Sequence, residues 1–149
     1  MVTPEPNRSS SHDAMIGTWT LVSVVAERDG RTFDSYGPNA KGLLVFDANR
    51  RYSMIIIAAG LPKFASGNRS SGTADENKAF VAGSVAHFGT YVVDEADKSL
   101  TLQIDRATFP NWEGKNNKRS FVIIGDELVF KEQHASAGGA ATTIFKRAT

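Results

Sequence analysis

One apolar segment near the start of the chain, residues 18–25, constrains the fold more than any other. It reads Thr-Trp-Thr-Leu-Val-Ser-Val-Val and follows Gly17. A run of β-branched and aromatic residues favours a β-strand. Because side chains alternate along a strand, Trp19, Leu21 and Val25 are predicted to lie on the same face. We expect the tryptophan to fill one end of a core.

Short segments of similar composition follow, and turn-forming residues separate them. Asp29-Gly30 predicts a hairpin after the first strand, and Gly125-Asp126 predicts a turn that begins with glycine. Further strands are predicted at residues 43–46, 52–58, 90–93, 100–105, 121–124, 128–130 and 142–147. No parallel crossover pattern is visible. About eight to ten such strands predict a mainly β protein with a single antiparallel barrel.

One capping helix is predicted near residues 74–87. Thr73 and Glu76 have the spacing of a capping box, in which each side chain bonds to the other residue's backbone amide. Apolar residues then recur at helical spacing from Ala79 to Ala86. We expect the helix to pack on the barrel or to close one of its ends. The preceding Gly/Ser-rich loop, residues 60–72, would gate entry.

A predicted hairpin in the middle of the chain indicates that one tyrosine faces inward. Its four-residue loop pairs Val93 with Leu100 and Tyr91 with Leu102. The shared face is apolar, so Tyr91 is predicted to point into the barrel. Its hydroxyl then needs a hydrogen-bond partner.

The final hairpin places a charged pair beside aromatic residues. Its two-residue turn sets Phe121 opposite Phe130 and Arg119 opposite Glu132, all on one face. If that face lines the interior, the pair is buried, costs desolvation free energy and marks a site. If the strands twist outward at this end, the pair is exposed and contributes little. The sequence leaves both alternatives open.

Length and composition describe one ordinary globular domain. The chain has 149 residues, 41% of them hydrophobic, and a net charge of +1, which disfavours a nucleic-acid partner. It has no cysteine and no apolar run long enough for a membrane span. Residues 1–13 are predicted to be a disordered N-terminal arm, and residues 14–149 the barrel domain. The arm lacks the apolar core of a signal peptide, so the cytoplasm is the default location.

The sequence contains no catalytic or metal-binding motif. His12, His87 and His134 are far apart and never at the spacing of metal ligands, so neither a metal site nor a cofactor is predicted. His87 is expected near the end of the helix, where a histidine suits the helix dipole. What remains is an inward-facing set of apolar and aromatic residues with few polar groups, as in a small-molecule pocket. These candidate ligand contacts are Tyr52, Met54, Ile56, Tyr91, Leu102, Arg119, Phe121, Phe130 and Glu132.

Several segments occur in the order found in a known protein family. They are Ile16-Gly17-Thr18-Trp19, Phe88-Gly89-Thr90-Tyr91 and Phe109-Pro110-Asn111-Trp112-Glu113-Gly114, followed by Arg119. Together they resemble the bacterial and fungal "lipocalin-like domain" family over nearly the whole chain. The resemblance implies a calycin-like barrel with a central cavity, and it adds Trp112 to the candidate contacts beside Arg119.

The resemblance also implies how the barrel closes. In the superfamily an arginine of the last strand covers the first tryptophan, which here would place Arg147 on Trp19 by cation–π stacking. Family members often carry a histidine on the strand before the Pro-Asn-Trp loop, whereas this chain has Gln103 on that strand. Any chemistry that depends on such a histidine would therefore be changed here.

The sequence supports hypotheses from three classes. The first is a barrel that binds a small hydrophobic ligand with a polar or acidic end, which Arg119 and Tyr91 would orient. The alternative is a cavity enzyme of the isomerase, cyclase or hydratase type acting on a small hydrophobic metabolite, for example in secondary metabolism, with Glu132 or Tyr91 as acid or base. The third is a filled barrel that serves as an interaction module. Residues 43–46 are apolar on both faces, which leaves a homodimer contact open.

Overall fold

The computed structural model of the chain describes residues 10–133 and 139–149, in which β-strands dominate. The strands are β1 (Gly17–Arg28), β2 (Arg31–Asp34), β3 (Lys41–Phe46), β4 (Arg51–Ile57), β5 (Ser84–Asp94), β6 (Ser99–Ala107), β7 (Asn116–Ile124), β8 (Glu127–Glu132) and β9 (Ala140–Arg147). The helices are α1 (Ser11–Met15), α2 (Ala74–Gly83) and a 3-10 turn at Pro110–Trp112. Within the described ranges, no helix has the length and apolar character needed to cross a membrane.

The strands form one antiparallel sheet that closes on itself. Their spatial order is β2-β1-β3-β4-β5-β6-β7-β8-β9, and β1 also pairs with β9. Eight strands, β1 and β3 to β9, therefore make a closed barrel, and β2 is an additional strand beside β1. Closure leaves few exposed strand edges. The predicted antiparallel barrel is confirmed.

The β5–β6 and β7–β8 hairpins have the registers that the sequence predicts. Tyr91 pairs with Leu102 across β5 and β6, and Phe121 pairs with Phe130 across β7 and β8. Gly125 has a φ of 59°, as a turn that begins with glycine requires. All four paired side chains are buried.

A β-bulge in β1 reverses which of its side chains face the interior. The register with β9 shifts around Val22, an extra residue whose side chain is 52% exposed. An extra residue shifts the alternation of side chains by one position. Side chains after the bulge therefore lie on the face opposite to the one predicted. Trp19 and Ala26 are both fully buried, so the prediction that Val25 shares the face of Trp19 was wrong.

Helix α2 begins as predicted and ends earlier. Thr73 Oγ1 accepts a hydrogen bond from the amide of Glu76, and the Glu76 carboxylate accepts one from the amide of Thr73, which confirms the capping box. The helix ends at Gly83, whereas it was predicted to continue to residue 87. Residues 84–87 instead begin β5, where burial alternates with a period of two. The apolar residues of this stretch fit both periods, and packing inside the barrel selects the strand.

Trp19 and Arg147 close one end of the barrel, as predicted. The guanidinium carbon of Arg147 lies 4.2 Å from the ring centroid of Trp19. Arg147 also donates hydrogen bonds to the carbonyls of Ala14 and Ile16. Trp19 Nε1 donates to the carbonyl of Met15 at 2.8 Å, and Met15 is fully buried. The segment before β1 thus fills this end of the barrel.

Part of the segment that fills this end was predicted to belong to the disordered arm. Residues 11–13 belong to helix α1, whose N-cap Ser10 accepts a hydrogen bond from the amide of Asp13. The ring of His12 stacks on Tyr91, with the centroids 5.6 Å apart. Residues 1–9 lie outside the described residues, so disorder in the remainder of the arm stays a prediction.

The outer face of the barrel carries exposed apolar side chains on three neighbouring strands. Leu43 of β3, Ile55 of β4 and Phe88 of β5 are 47%, 43% and 51% exposed. Leu43 pairs directly with Ile55. The homodimer contact at residues 43–46 stays a prediction.

Candidate functional site

A cavity of about 290 Å³ occupies the half of the barrel that lies away from Trp19. Its wall includes Val24, Met54, Ile56 and Val85, and its charged and imidazole groups come from β5, β7 and β8. The cavity suits a small organic molecule with an apolar body.

Helix α2 forms the rim of this cavity. Phe80 and Val81 line it although their side chains are 49% and 75% exposed. No residue of the loop 60–72 lines this cavity, and the expectation that the loop gates entry stays a prediction. The loop is tied to that helix because the carboxylate of Glu76 accepts a hydrogen bond from the amide of Ala65 at 3.0 Å.

Arg119 and Glu132 lie inside the barrel. Their side chains are 4% and 13% exposed, so the buried pair is the correct one of the two alternatives. Arg119 Nη2 lies 3.6 Å from Glu132 Oε2. Asn117 connects the two, since it accepts from Arg119 Nε at 2.7 Å and donates to Glu132 Oε1 at 2.8 Å. No described residue accepts a hydrogen bond from the terminal nitrogens of Arg119, which leaves those donors for the cavity.

His87 of β5 reaches the same cavity and is 3% exposed. Its Nδ1 lies 2.7 Å from the hydroxyl of Tyr52 on the neighbouring strand β4. The ring of Trp112 stands edge-on to the imidazole, with the centroids 5.4 Å apart. His87 Nε2 is buried and has no hydrogen-bond partner among the described residues. Because an unpaired buried polar atom costs free energy, this nitrogen is suited to bind a ligand group.

Burial sets the protonation states around the cavity. It lowers the pKa of His87 to about 3, and the positive charge of Arg119 acts in the same direction. The imidazole is therefore neutral near neutral pH. Burial also raises the pKa of Tyr52 and of the cavity-lining Tyr36, so both phenols keep their protons.

The structure brings five of the predicted contact residues to the cavity. They are Met54, Ile56, Trp112, Arg119 and Glu132. Trp112 reaches the wall because the 3-10 turn at Pro110–Trp112 folds back beside β5. These five residues come from four separate stretches of the sequence, which the barrel joins.

The other predicted contacts lie outside the cavity wall. Tyr52 contacts His87 through its hydroxyl and does not itself line the cavity. Tyr91 packs at the closed end against Phe46, and its hydroxyl donates to the carbonyl of Asp47 at 2.7 Å. The remaining members, Leu102, Phe121 and Phe130, are buried in the packed core. The partners that the Tyr91 hydroxyl was expected to need are thus a backbone carbonyl and His12 Nε2, which lies 3.2 Å away.

Sequence reasoning missed His87. It was expected at the end of a helix, and that was wrong because the helix stops at Gly83. A signal was present, since His87 and Tyr91 are four residues apart and therefore share a face of one strand. With Tyr91 facing inward, His87 must face inward too. His134, the third histidine, lies outside the described residues.

A closed eight-stranded antiparallel barrel with a filled end and an internal cavity defines the class of this protein. The chain belongs to the Lipocalin-like domain family, whose model matches residues 16–148. The family resemblance of the sequence is thereby confirmed. Among solved structures, a mutant of the fluorescent protein UnaG is 18% identical, over 90% of this chain and 96% of that chain, with a TM-score of 0.39. No curated protein matched the chain.

Proposed function

We propose that this protein binds a small, largely apolar molecule inside the barrel, and that Arg119 orients the polar end of that molecule. One observation carries the proposal. A guanidinium that is almost fully buried lines a cavity of about 290 Å³, and among the described residues its terminal nitrogens have only the 3.6 Å ion-pair contact with Glu132 and no hydrogen bond. In a dry site, a ligand acceptor would restore the hydrogen bonds that these donors lost with water.

The cavity wall supports the apolar part of the ligand. Met54 and Ile56 present aliphatic side chains, and Trp112 presents an aromatic one beside Phe109. Burial of apolar surface contributes about 25 cal/mol per Å², so this wall supplies affinity while the few polar groups supply orientation.

The enzyme alternative has less support than binding. Tyr91, one of its two candidate acid–base groups, lies at the closed end of the barrel and not at the cavity. His87 does reach the cavity, but a base with a pKa of about 3 is a weak proton acceptor near neutral pH. Glu132, the other candidate, does line the cavity, but it is held by Arg119 and by Asn117. These observations support binding more than acid–base turnover.

Native mass spectrometry of freshly purified protein tests the proposal. We expect a discrete added mass that disappears on denaturation, and solvent extraction should release an apolar compound. Calorimetric titration with acetophenone, a compact molecule with an apolar ring and one polar atom, provides a second measurement. A clean protein mass together with no saturable binding of acetophenone would argue against a ligand-binding cavity.

Arg119→Met should weaken the binding of the extracted compound by about 1.5–3 kcal/mol, because it removes a desolvated charged donor. Lys118→Met is the matched control. Lys118 is the next residue on β7, but it points outward and pairs with Asp97 at 3.0 Å. Equal affinity of the two variants would remove Arg119 from the site.

A further inference from the structure

The hydrogen bond between Tyr52 and His87 determines which imidazole nitrogen carries the proton. The Tyr52 hydroxyl has only His87 Nδ1 as a partner among the described residues. If the hydroxyl donates, Nδ1 accepts, and the proton of the neutral imidazole is on Nε2. If Nδ1 donated instead, the hydroxyl hydrogen would be buried without an acceptor. Each arrangement leaves one donor unpaired, but a phenol O–H is a stronger donor than an imidazole N–H, and an imidazole nitrogen is a stronger acceptor than a phenol oxygen. The hydroxyl therefore donates to Nδ1, and the Nε2–H tautomer is favoured.

Two of the buried side chains on the described cavity wall therefore offer N–H donors. His87 contributes one N–H, and Arg119 contributes its terminal N–H groups. The charge of Arg119 is already balanced by Glu132, which Asn117 holds in place. A carboxylate ligand would lose its hydration and then lie beside the Glu132 carboxylate. An uncharged acceptor avoids both costs.

We infer that the ligand is a carbonyl compound whose uncharged oxygen accepts hydrogen bonds from His87 Nε2–H and from Arg119. This inference rests on the proposed function and names the chemical class of its ligand. A carbonyl oxygen has two lone pairs, so it can accept from both residues.

The tautomer is tested first, and without a ligand. In protein labelled with ¹⁵N-histidine, we expect His87 near neutral pH to show a protonated Nε2 and an unprotonated Nδ1. Tyr52→Phe removes the hydroxyl and keeps the ring, so the Nδ1–H form should become populated in that variant. A protonated Nδ1 in the wild-type protein would overturn the inference and leave the proposed function intact.

Three probes of closely similar size and shape then separate the ligand classes. Acetophenone carries a carbonyl, benzoate carries a carboxylate, and α-methylstyrene has a methylene group in place of the oxygen. We expect acetophenone to bind about tenfold more tightly than α-methylstyrene, as a hydrogen bond in a dry site implies, and more tightly than benzoate. Calorimetry with the full chain measures all three.

His87→Asn identifies the residue responsible. The asparagine amide oxygen can still accept from Tyr52, but the donor at the Nε2 position is lost. The preference for acetophenone over α-methylstyrene should shrink severalfold, while the affinity for α-methylstyrene itself reports any change in packing. If benzoate binds best, or if acetophenone and α-methylstyrene bind equally to the wild type, the inference is overturned while binding stands. If none of the three binds, the proposed function loses its support as well.

Discussion

His87 and Arg119 share one cavity although both side chains can carry positive charge. The conflict is resolved because burial and the neighbouring guanidinium keep the imidazole neutral, with a pKa of about 3. In the unfolded chain the same imidazole has a pKa near 6.5. Between these two values the unfolded state binds a proton that the folded state does not. Folding stability contributed by this residue is therefore complete above about pH 6.5 and is lost as the pH falls.

We predict that lowering the pH from about 7.5 to about 5.0 costs the wild-type protein about 2 kcal/mol of unfolding free energy through His87 alone. Urea denaturation at the two pH values measures this difference. His87→Asn has no such group and should lose about 2 kcal/mol less over the same interval. Identical losses in the two proteins would show that His87 is not buried in its neutral form.

At the residue scale, the pairing of charged and aromatic side chains was predictable from the sequence, whereas their burial and their position in the barrel were not. Arg119 and Glu132 could be placed opposite one another because a two-residue turn fixes the register of a hairpin. Their burial could not be decided, because it depends on strands that are distant in sequence. Tyr91 was correctly placed inside, but which half of the barrel is filled depends on Met15 and Phe46. No local pattern contains that information.

At the element scale, β5 and β6 approach closely at Gly89. The register between the strands shifts there, and a Cβ atom on Gly89 would overlap the backbone carbonyl oxygen of Gln103. The glycine is therefore required by space and not by an unusual φ. The extra residue at this shift is Asp105 on β6, so alternation along β5 continues from His87 through Gly89 to Tyr91.

Gly89→Ala should destabilise the protein by at least about 2 kcal/mol, because the backbone of one strand must move to admit the methyl group. Gly60→Ala is the control, since no atom lies within 4 Å of a Cβ built at Gly60. Urea denaturation compares the two variants. A stability of Gly89→Ala close to that of Gly60→Ala would mean that β5 and β6 separate more easily than their packing indicates.

The elements themselves were largely predictable, and their ends were not. Alternation and turn residues located the strands, and the capping box located the start of α2 at Thr73. The end of α2 was misplaced because an apolar, small-residue stretch satisfies both helical and strand periods. The bulge at Val22 was missed because an extra residue in a strand has no signature in a run of valines.

At the scale of the whole molecule, the barrel is closed by contacts between its first and last strands. β1 and β9 pair from Trp19 and Arg147 to Glu27 and Ala140. Arg147 adds its stacking on Trp19 and its hydrogen bonds to the segment before β1. Sequence reasoning predicted this closure because the family resemblance supplied a partner for Trp19. The cavity volume was not predictable, since it depends on how all eight strands tilt and how α2 lies over them.

Arg147→Leu should destabilise the barrel by about 2 kcal/mol, because it removes a cation–π contact and two hydrogen bonds to backbone carbonyls. Arg106→Leu is the matched control, since the Arg106 side chain is 76% exposed and pairs loosely with Glu113. That control should change the unfolding free energy by less than about 0.5 kcal/mol. Thermal unfolding of both variants measures the difference, and equal melting temperatures would contradict a closing role for Arg147.

The pairing of β1 with β9 also affects how a newly synthesised chain folds. Thr20 donates a hydrogen bond to the carbonyl of Lys146, a residue 126 positions later. At 5–20 residues per second, a ribosome needs about 6–25 s to make that interval. Throughout it, β2 and β3 can cover one edge of β1 while the other edge has no partner. A nascent chain therefore exposes an open strand for many seconds, and its yield in a cell should depend on the chaperones that shield it.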